Sequence, residues 1–334
     1  MIINEQKTVL TKSVFGKPIK LIPNEAITKI YNTELLLLTN SENFDNLTFW
    51  VKYHLDVIKF NHIVIIYNNS NENFNKLKLK FEGNNKIDLY YVNGSVSQAN
   101  LYNYYIKISK SKWVLPLDDD EYLYIPKKYN YDINELLSLN TTYYKYSFNW
   151  LSCISKTVYD EVDEETPYYK LYNYCLPLNH DENNTIKTIV NTDICHNYLE
   201  NREPLICMNN ILKISNNVLY PGYNNMGSVH NPISHDGVNY QHSLSLSDNK
   251  SIIIARIIPE ILKDISKDNC YIFHFKYRSY DEWKNKCKNM ILKDIDSAFC
   301  RRHYNDKKYF NIYKTNSESL IDISSLFTIF ENVT

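Results

Sequence analysis

The chain has 334 residues, 44% hydrophobic and 14% aromatic, which is ample for a packed core in one large domain or two smaller ones. Its 37 basic and 38 acidic residues nearly cancel, and no basic block is long enough to follow a phosphate backbone, so nucleic acid is not an expected partner. Seven cysteines (Cys153, Cys175, Cys195, Cys207, Cys270, Cys287, Cys300) form no C-x-x-C pair, which supports neither a zinc ribbon nor a disulfide framework and fits a reducing compartment. The N-terminal stretch MIINEQKTVLTKSVFGKPIK lacks an apolar h-region, and no segment approaches the roughly 18 uninterrupted apolar residues of a membrane span. A soluble, cytoplasmic chain is the expectation. The 30 Tyr, the abundant Asn, Ile and Lys and only 6 Gly have the look of A+T-rich coding, compatible with a host-cytoplasm or virus-factory setting.

From Thr33 onward, short apolar runs alternate with segments of helical period. TELLLLTN (33–40) reads as a buried strand, and Leu47, Trp50, Val51, His54, Leu55 and Ile58 then fall on one helix face. HIVIIYNNS (62–70) is a β-branched strand closed by a turn cluster, and KIDLYYVN (86–93) is a third strand. Leu101, Tyr104, Tyr105 and Ile108 mark another amphipathic helix, and WVLPL (113–117) a fourth strand. Further on, TYYKYSFNWLSCI (142–154) and CYIFHFKY (270–277) read as strands, with loops over Glu161–Glu165 and Asn179–Thr185. Ser279 and Glu282 in SYDE form a capping box that starts a helix running to about Met290. The alternation predicts an α/β fold with a mostly parallel sheet flanked by helices, and a site beyond the carboxyl ends of its strands. Thr39-Asn40, Asn68-Asn69-Ser70 and the run Asp118, Asp119, Asp120, Glu121 lie at such ends.

Two unit charges about 4 Å apart repel by roughly 4 kcal/mol at an effective dielectric near 20, so four adjacent carboxylates call for a counter-ion. In extended chain Asp118 and Asp120 point the same way, offering two oxygens to one hard cation such as Mg²⁺ or Mn²⁺, which suits a metal-bound diphosphate substrate. A short acidic run can also be a solvated turn. Its position between the buried strand WVLPL and the apolar YLYI favours the metal site.

These segments resemble GT-A glycosyltransferases, and more narrowly the family 2 and family 92 type. The resemblance is carried by Asn40 and Glu42; Leu47, Trp50, Tyr53 and His54; Asn68, Asn69 and Ser70; Gln98, Tyr102 and Asn103; and Trp113, Val114, Leu117, Asp118, Asp120, Glu121 and Tyr122. Phe49 stands where the family usually has Glu before the Trp, and Asn68 where Asp is common. In the second half FNWLSCISKT, KTIVN followed by GSVHNP (a Lys and a His), and IFHFKYRSYDEWKNKC are similar to family segments.

The resemblance implies a Rossmann-like GT-A fold in which residues 31–130 bind the nucleotide sugar and 131–300 form the acceptor side, between an extension (1–30) and a C-terminal tail (301–334). It implies a metal-dependent, inverting transfer of a sugar from a UDP- or GDP-sugar to a hydroxyl of a glycan, protein or small molecule. Asp118 and Asp120 take the D-x-D positions, Asp120 as the firmer metal ligand. His230 is the first choice for a further ligand and His274 the second, while His235 and His242 read as loop residues. Thr39, Asn40, Glu42, Asn68, Ser70, Gln98, Asp118 and Asp119 line the nucleotide-sugar side. Lys276 and Arg278 could meet a diphosphate or be a solvated edge, and Trp150 could stack on a sugar or belong to the core. The general base is not singled out among Asp160, Glu161, Asp163, Glu164, Glu165, Asp181, Glu182 and Asp193. A metal-dependent phosphohydrolase and a catalytically silent sugar- or nucleotide-binding module are the alternatives. The absence of D-x-D-G-T weighs against the first, the retained charge of the acidic run against the second.

Overall fold

The computed structural model describes residues 29–92, 98–138, 145–162, 166–178, 180–184, 186–192, 240–245, 251–254, 265–285, 305–316 and 318–333. Its centre is β1 (Tyr31–Thr39), in which Leu35, Leu36 and Leu37 are fully buried. A run of consecutive apolar residues rather than an alternating one is what a strand covered on both faces requires. The strands β2 (His62–Tyr67), β3 (Ile87–Tyr91) and β4 (Ser111–Pro116) complete a parallel sheet in the order β3-β2-β1-β4.

Because side chains alternate across a strand, the sheet sorts its residues to two cores. Leu35, Leu37, Ile63, Ile65, Trp113 and Leu115 belong to the larger one, with Leu47, Trp50 and Val51 of α1 (Phe44–Lys52), Phe74 and Leu77 of α2 (Asn71–Lys80), and Ile133, Leu136 and Leu137 that lie between Ile133 and Ser138. Leu36, Val64, Ile66 and Val114 face the other way onto Leu101, Tyr102, Tyr105 and Ile106 of α3 (Gln98–Ile108). The expected α/β architecture, a sheet with helices on both faces, is therefore what the chain adopts.

After β4 the chain turns back. β5 (Glu121–Tyr124) leaves the parallel sheet, and the long β6 (Lys145–Ile154), paired near its end with β7 (Tyr174–Cys175), runs beyond β8 (Ile186–Asn191), which is antiparallel to both β4 and β6. β9 (Tyr240–Ser245) pairs in parallel with β6 and antiparallel with β10 (Ser251–Ile254). The second half of β6 pairs in parallel with β11 (Tyr271–His274), and β11 pairs antiparallel with β5. One edge of β5 is thus in the sheet and the other is not. That second edge is closed by side chains: Trp50 Nε1 donates to the Glu121 carbonyl at 2.7 Å, and the Tyr53 hydroxyl to the Leu123 carbonyl at 2.7 Å. The Leu123 amide donates to His54 Nε2 at 3.3 Å. Residues two apart present their backbone groups on the same edge, so three side chains do the work of a neighbouring strand.

A π turn over Tyr53–Val57 follows α1, with the Ile58 amide bonded to the Tyr53 carbonyl. Its wider turn brings the consecutive residues Tyr53 and His54 to the same buried side, which the three-and-four spacing of the sequence does not anticipate. His54 Nδ1 lies 2.9 Å from the Trp50 carbonyl, so that nitrogen carries the proton while Nε2 accepts. Around this clamp, Leu326, Phe327, Ile329 and Phe330 of the 3₁₀ stretch Ser324–Asn332 are buried, with the Phe330 ring 4.7 Å from that of Tyr53. The segment read as a tail thus supplies part of the core. His242, read as a loop residue, lies in the strand Tyr240–Ser245.

Trp50→Phe should leave the buried Glu121 carbonyl without its donor and cost about 1–3 kcal/mol in a denaturant melt. Burial lowers the His54 pKa to about 3 against the opposing Trp50 carbonyl. The unfolded histidine binds a proton near pH 6.5 and the folded one does not, so stability is complete above about 6.5 and is lost as pH falls towards 3. Relative to His54→Gln, wild type should lose about 3 kcal/mol between pH 7.5 and 4.5, measured by urea denaturation at both.

Candidate active site

Strand order makes β1 the switch point of the sheet, with the chain proceeding to β2 on one side and returning to β4 on the other. A crevice opens at the carboxyl ends of the two strands that flank such a point. Thr39 ends β1 and the acidic run follows β4, and the two meet: the Thr39 hydroxyl donates to Asp119 Oδ2 at 2.5 Å. The run itself is a tight turn, closed by the Glu121 amide on the Asp118 carbonyl at 3.1 Å and by the Asp118 amide on Glu121 Oε2 at 2.9 Å.

Each carboxylate has a different setting. Asp118 Oδ1 accepts from Gln98 Nε2 at 2.7 Å, and Asp118 Oδ2 lies 3.0 Å from Lys187 Nζ. Lys187 also lies 2.9 Å from Glu121 Oε2, and its side chain is 0% exposed. Val114 and Val190 are register partners across β4 and antiparallel β8, so continuing that register by three brings Lys187 level with Leu117, beside Asp118. Burial would lower the Lys187 pKa, but Asp118 and Glu121 hold it well above the usual lysine range. Burial raises the Glu121 pKa to about 8 against the pull of Lys187.

Asp120 is buried, with its backbone carbonyl bonded to the Phe275 amide at 2.9 Å and its Oδ1 3.6 Å from His274 Nε2. The β5–β11 register, His274 opposite Glu121, places that imidazole beside the turn. Its ring also packs on Trp150, 4.0 Å between centroids, and the tryptophan is buried in the larger core, the second of the two readings expected for it. Two ligands about 2.1 Å from one ion, at 90–120° to each other, are about 3.0–3.6 Å apart, so a carboxylate oxygen and an imidazole nitrogen here fit a shared Mn²⁺ or Mg²⁺. Among the described residues no three His, Cys, Asp or Glu side chains converge as a ready-made cage, which leaves substrate oxygens and water to complete such an ion.

Arg278 lies in the field of Asp119 and Asp120 and is ion-paired with Glu282 at 3.1 Å. Its guanidinium stacks 4.7 Å from the Tyr168 ring and donates to the Tyr168 hydroxyl. Burial would lower its pKa, and Tyr168, Glu282 and the two aspartates hold it well above the usual value. The capping box is present, with the Glu282 amide 3.3 Å from Ser279 Oγ and the Ser279 amide 3.3 Å from Glu282 Oε2. Arg278 therefore belongs to the site. Lys276 does not, being bonded to Glu182 at 2.6 Å.

The remaining expected residues divide. Gln98 and Thr39 touch the acidic turn directly. Asn69 rather than Asn68 joins the strand ends by its side chain, donating to the Asn40 carbonyl at 2.9 Å and to Glu42 Oε1 at 3.0 Å. The Ser70 hydroxyl caps α2 by accepting from the Asn73 amide at 3.1 Å. His230, His235, Asp163, Glu164, Glu165 and Asp193 lie outside the described residues, as does the side chain of Asp181. Glu182 is bound by Lys276, by Lys308 at 2.9 Å and by the Tyr277 hydroxyl at 2.8 Å. Burial would raise its pKa, but the two ammonium groups hold it well below the usual carboxylate range, which removes it from the candidates for a general base. Asp160 and Glu161 are exposed, and the Asp160 carbonyl accepts from the Asp281 amide at 3.1 Å. Tyr168 escaped the sequence reading because nothing in its local pattern ties it to residues over a hundred positions later.

No protein-family model and no curated protein matches the chain. Among solved structures, residues 1–349 of S. aureus TarS are 11% identical, with a TM-score of 0.32 over 85% of this chain and 72% of that one. The mannosyltransferase Ktr4p from S. cerevisiae is also 11% identical, with a TM-score of 0.28 over 60% and 70%. The bifunctional glycosyltransferase WbbM is 12% identical, with a TM-score of 0.27 over 40% of this chain and 24% of that one, so the chain spans about a quarter of its length. At these scores the likenesses add nothing to what the topology and the site say by themselves.

Glu182→Ala should lower stability by about 2–4 kcal/mol in a denaturant melt, because it leaves two partly buried ammonium groups without their shared carboxylate.

Proposed function

We propose that the chain is a metal-dependent glycosyltransferase that moves a sugar from a UDP- or GDP-sugar to an acceptor hydroxyl with inversion. The observation that carries this reading is the meeting, at the switch point of the sheet, of Asp120 and His274 with the turn that Thr39 and Gln98 brace. Asp120 and His274, the second choice for a further ligand, would hold Mn²⁺ or Mg²⁺. Bound there, the ion supplies Lewis-acid stabilisation of the charge that develops on a leaving diphosphate.

The chain's own groups supply the rest. Arg278, fixed by its stacking on Tyr168 and its pairing with Glu282, presents a planar guanidinium within the electrostatic reach of Asp119 and Asp120, and such a fork suits phosphate oxygens. Asp118, held at both oxygens, faces the ribose side, with the strand-end residues Thr39, Asn40, Glu42, Asn68 and Asn69 around the nucleotide. Trp150, buried in the core and packed on His274, fixes the imidazole from one side. Nothing favours a phosphohydrolase over a transferase here.

Thermal-shift titration of wild type with Mn²⁺ and each nucleoside diphosphate should show stabilisation by one of them, about 2.7 kcal/mol at a hundredfold excess over Kd. Asp120→Ala and His274→Ala should each weaken the Mn²⁺-dependent part on the order of tenfold or more. Absence of stabilisation by every nucleoside diphosphate would sink the transferase reading.

A further inference from the structure

The acidic turn already contains a cation. Lys187 Nζ sits between Asp118 Oδ2 at 3.0 Å and Glu121 Oε2 at 2.9 Å with no solvent exposure, so its ammonium fills the place between two carboxyl groups where another cation would be attracted. Nothing in the packing of an antiparallel strand demands a lysine there: β8 is otherwise Ile186, Thr188, Ile189, Val190 and Asn191. A buried ammonium costs several kcal/mol to desolvate, so its presence needs a partner worth that cost. The cluster supplies it. On the other side Glu121 Oε1 is buried without a hydrogen-bond partner among the described residues, which marks the inner half of the cluster as a place where polar demand exceeds supply even with the lysine in it.

We propose that Lys187 is a positioning residue that acts as a built-in cation. It occupies the place between Asp118 and Glu121, so that a divalent ion is directed to the Asp120–His274 side of the turn and the Asp118 carboxylate is held fixed for the substrate. The assignment of the ion to Asp120 and His274 rests on the function proposed above; the claim that Lys187 fills a cation place does not. Without the lysine, the inner carboxylates become an additional attraction for a metal ion while Asp118 loses its anchor. Affinity for the metal and turnover of substrate should then move in opposite directions, which a merely structural lysine would not produce.

The test is Mn²⁺ titration by calorimetry on the full chain without nucleotide, on wild type, Lys187→Met and Lys187→Arg, alongside donor consumption. Lys187→Met should bind Mn²⁺ about tenfold more tightly than wild type, or bind one ion more, since a unit charge a few ångströms away has been removed. Its kcat should fall about tenfold or more. Lys187→Arg, which keeps the charge, should bind Mn²⁺ within about twofold of wild type. Unchanged or weaker Mn²⁺ binding by Lys187→Met overturns the proposal. A wild type that binds no Mn²⁺ beside a Lys187→Met that does would refute the metal reading of the active site and support the built-in cation. Should Lys187→Met not fold, Lys187→Met combined with Asp118→Asn removes one charge of each sign: a folded double variant supports the proposal, and one that also fails to fold overturns it.

Discussion

Everything at this site depends on keeping like charges together at the end of a buried strand. Four acidic residues in a tight turn would repel one another and the low-dielectric sheet behind them. The turn survives because its charges are dispersed in different directions: Asp118 to Lys187 and Gln98, Asp119 to Thr39, Asp120 to the flank of His274, and Glu121 inward to the Asp118 amide and Lys187. Four separate segments of the chain therefore converge on four consecutive residues. A rigid, prepaid arrangement of this kind is what a site needs if charged groups are to meet a substrate without reorganising.

The turn in turn depends on β5. A four-residue strand with one edge outside the sheet is weakly specified, and slippage by one residue would exchange the faces that Glu121 and Tyr122 occupy. Two restraints prevent it. The β11 register locks one edge, and Trp50, Tyr53 and His54 lock the other with three side-chain hydrogen bonds. The aromatic packing of Tyr53, Tyr122, Phe273, Phe275 and Phe330 lies directly beneath, so the same residues that bury apolar area also fix the strand's position along its axis. Residues that a motif comparison would group with nucleotide recognition thus serve the backbone of the strand that carries the acidic turn.

The first half of the molecule was legible because its signals are local. Strands β1, β2 and β4 each carry a continuous apolar run, so the succession of strands and the acidic run at a strand's carboxyl end followed from pattern, whereas the strand order did not. The helix α2 escaped because its sequence NENFNKLKLK carries only Phe74 and Leu77 as buried anchors and is otherwise polar. The π turn escaped because a change of helical period leaves no mark in a spacing of threes and fours. Strand β8 escaped because its short β-branched run is interrupted by a lysine, which reads as a solvated residue until the acidic turn is seen beside it.

The sequence by itself determined the α/β class, the succession of parallel strands, and the acidic run at a strand's carboxyl end, since each is written in neighbouring residues. Tertiary structure alone decided which groups meet that run. His274 reaches Asp120 through a strand pairing between residues more than 150 positions apart, Lys187 reaches Asp118 through an antiparallel strand inserted between β4 and β6, and Arg278 is held by Tyr168 from a different segment. These are long-range pairings, and their partners are chosen by sheet register and buried charge, neither of which has a period that a linear sequence can display.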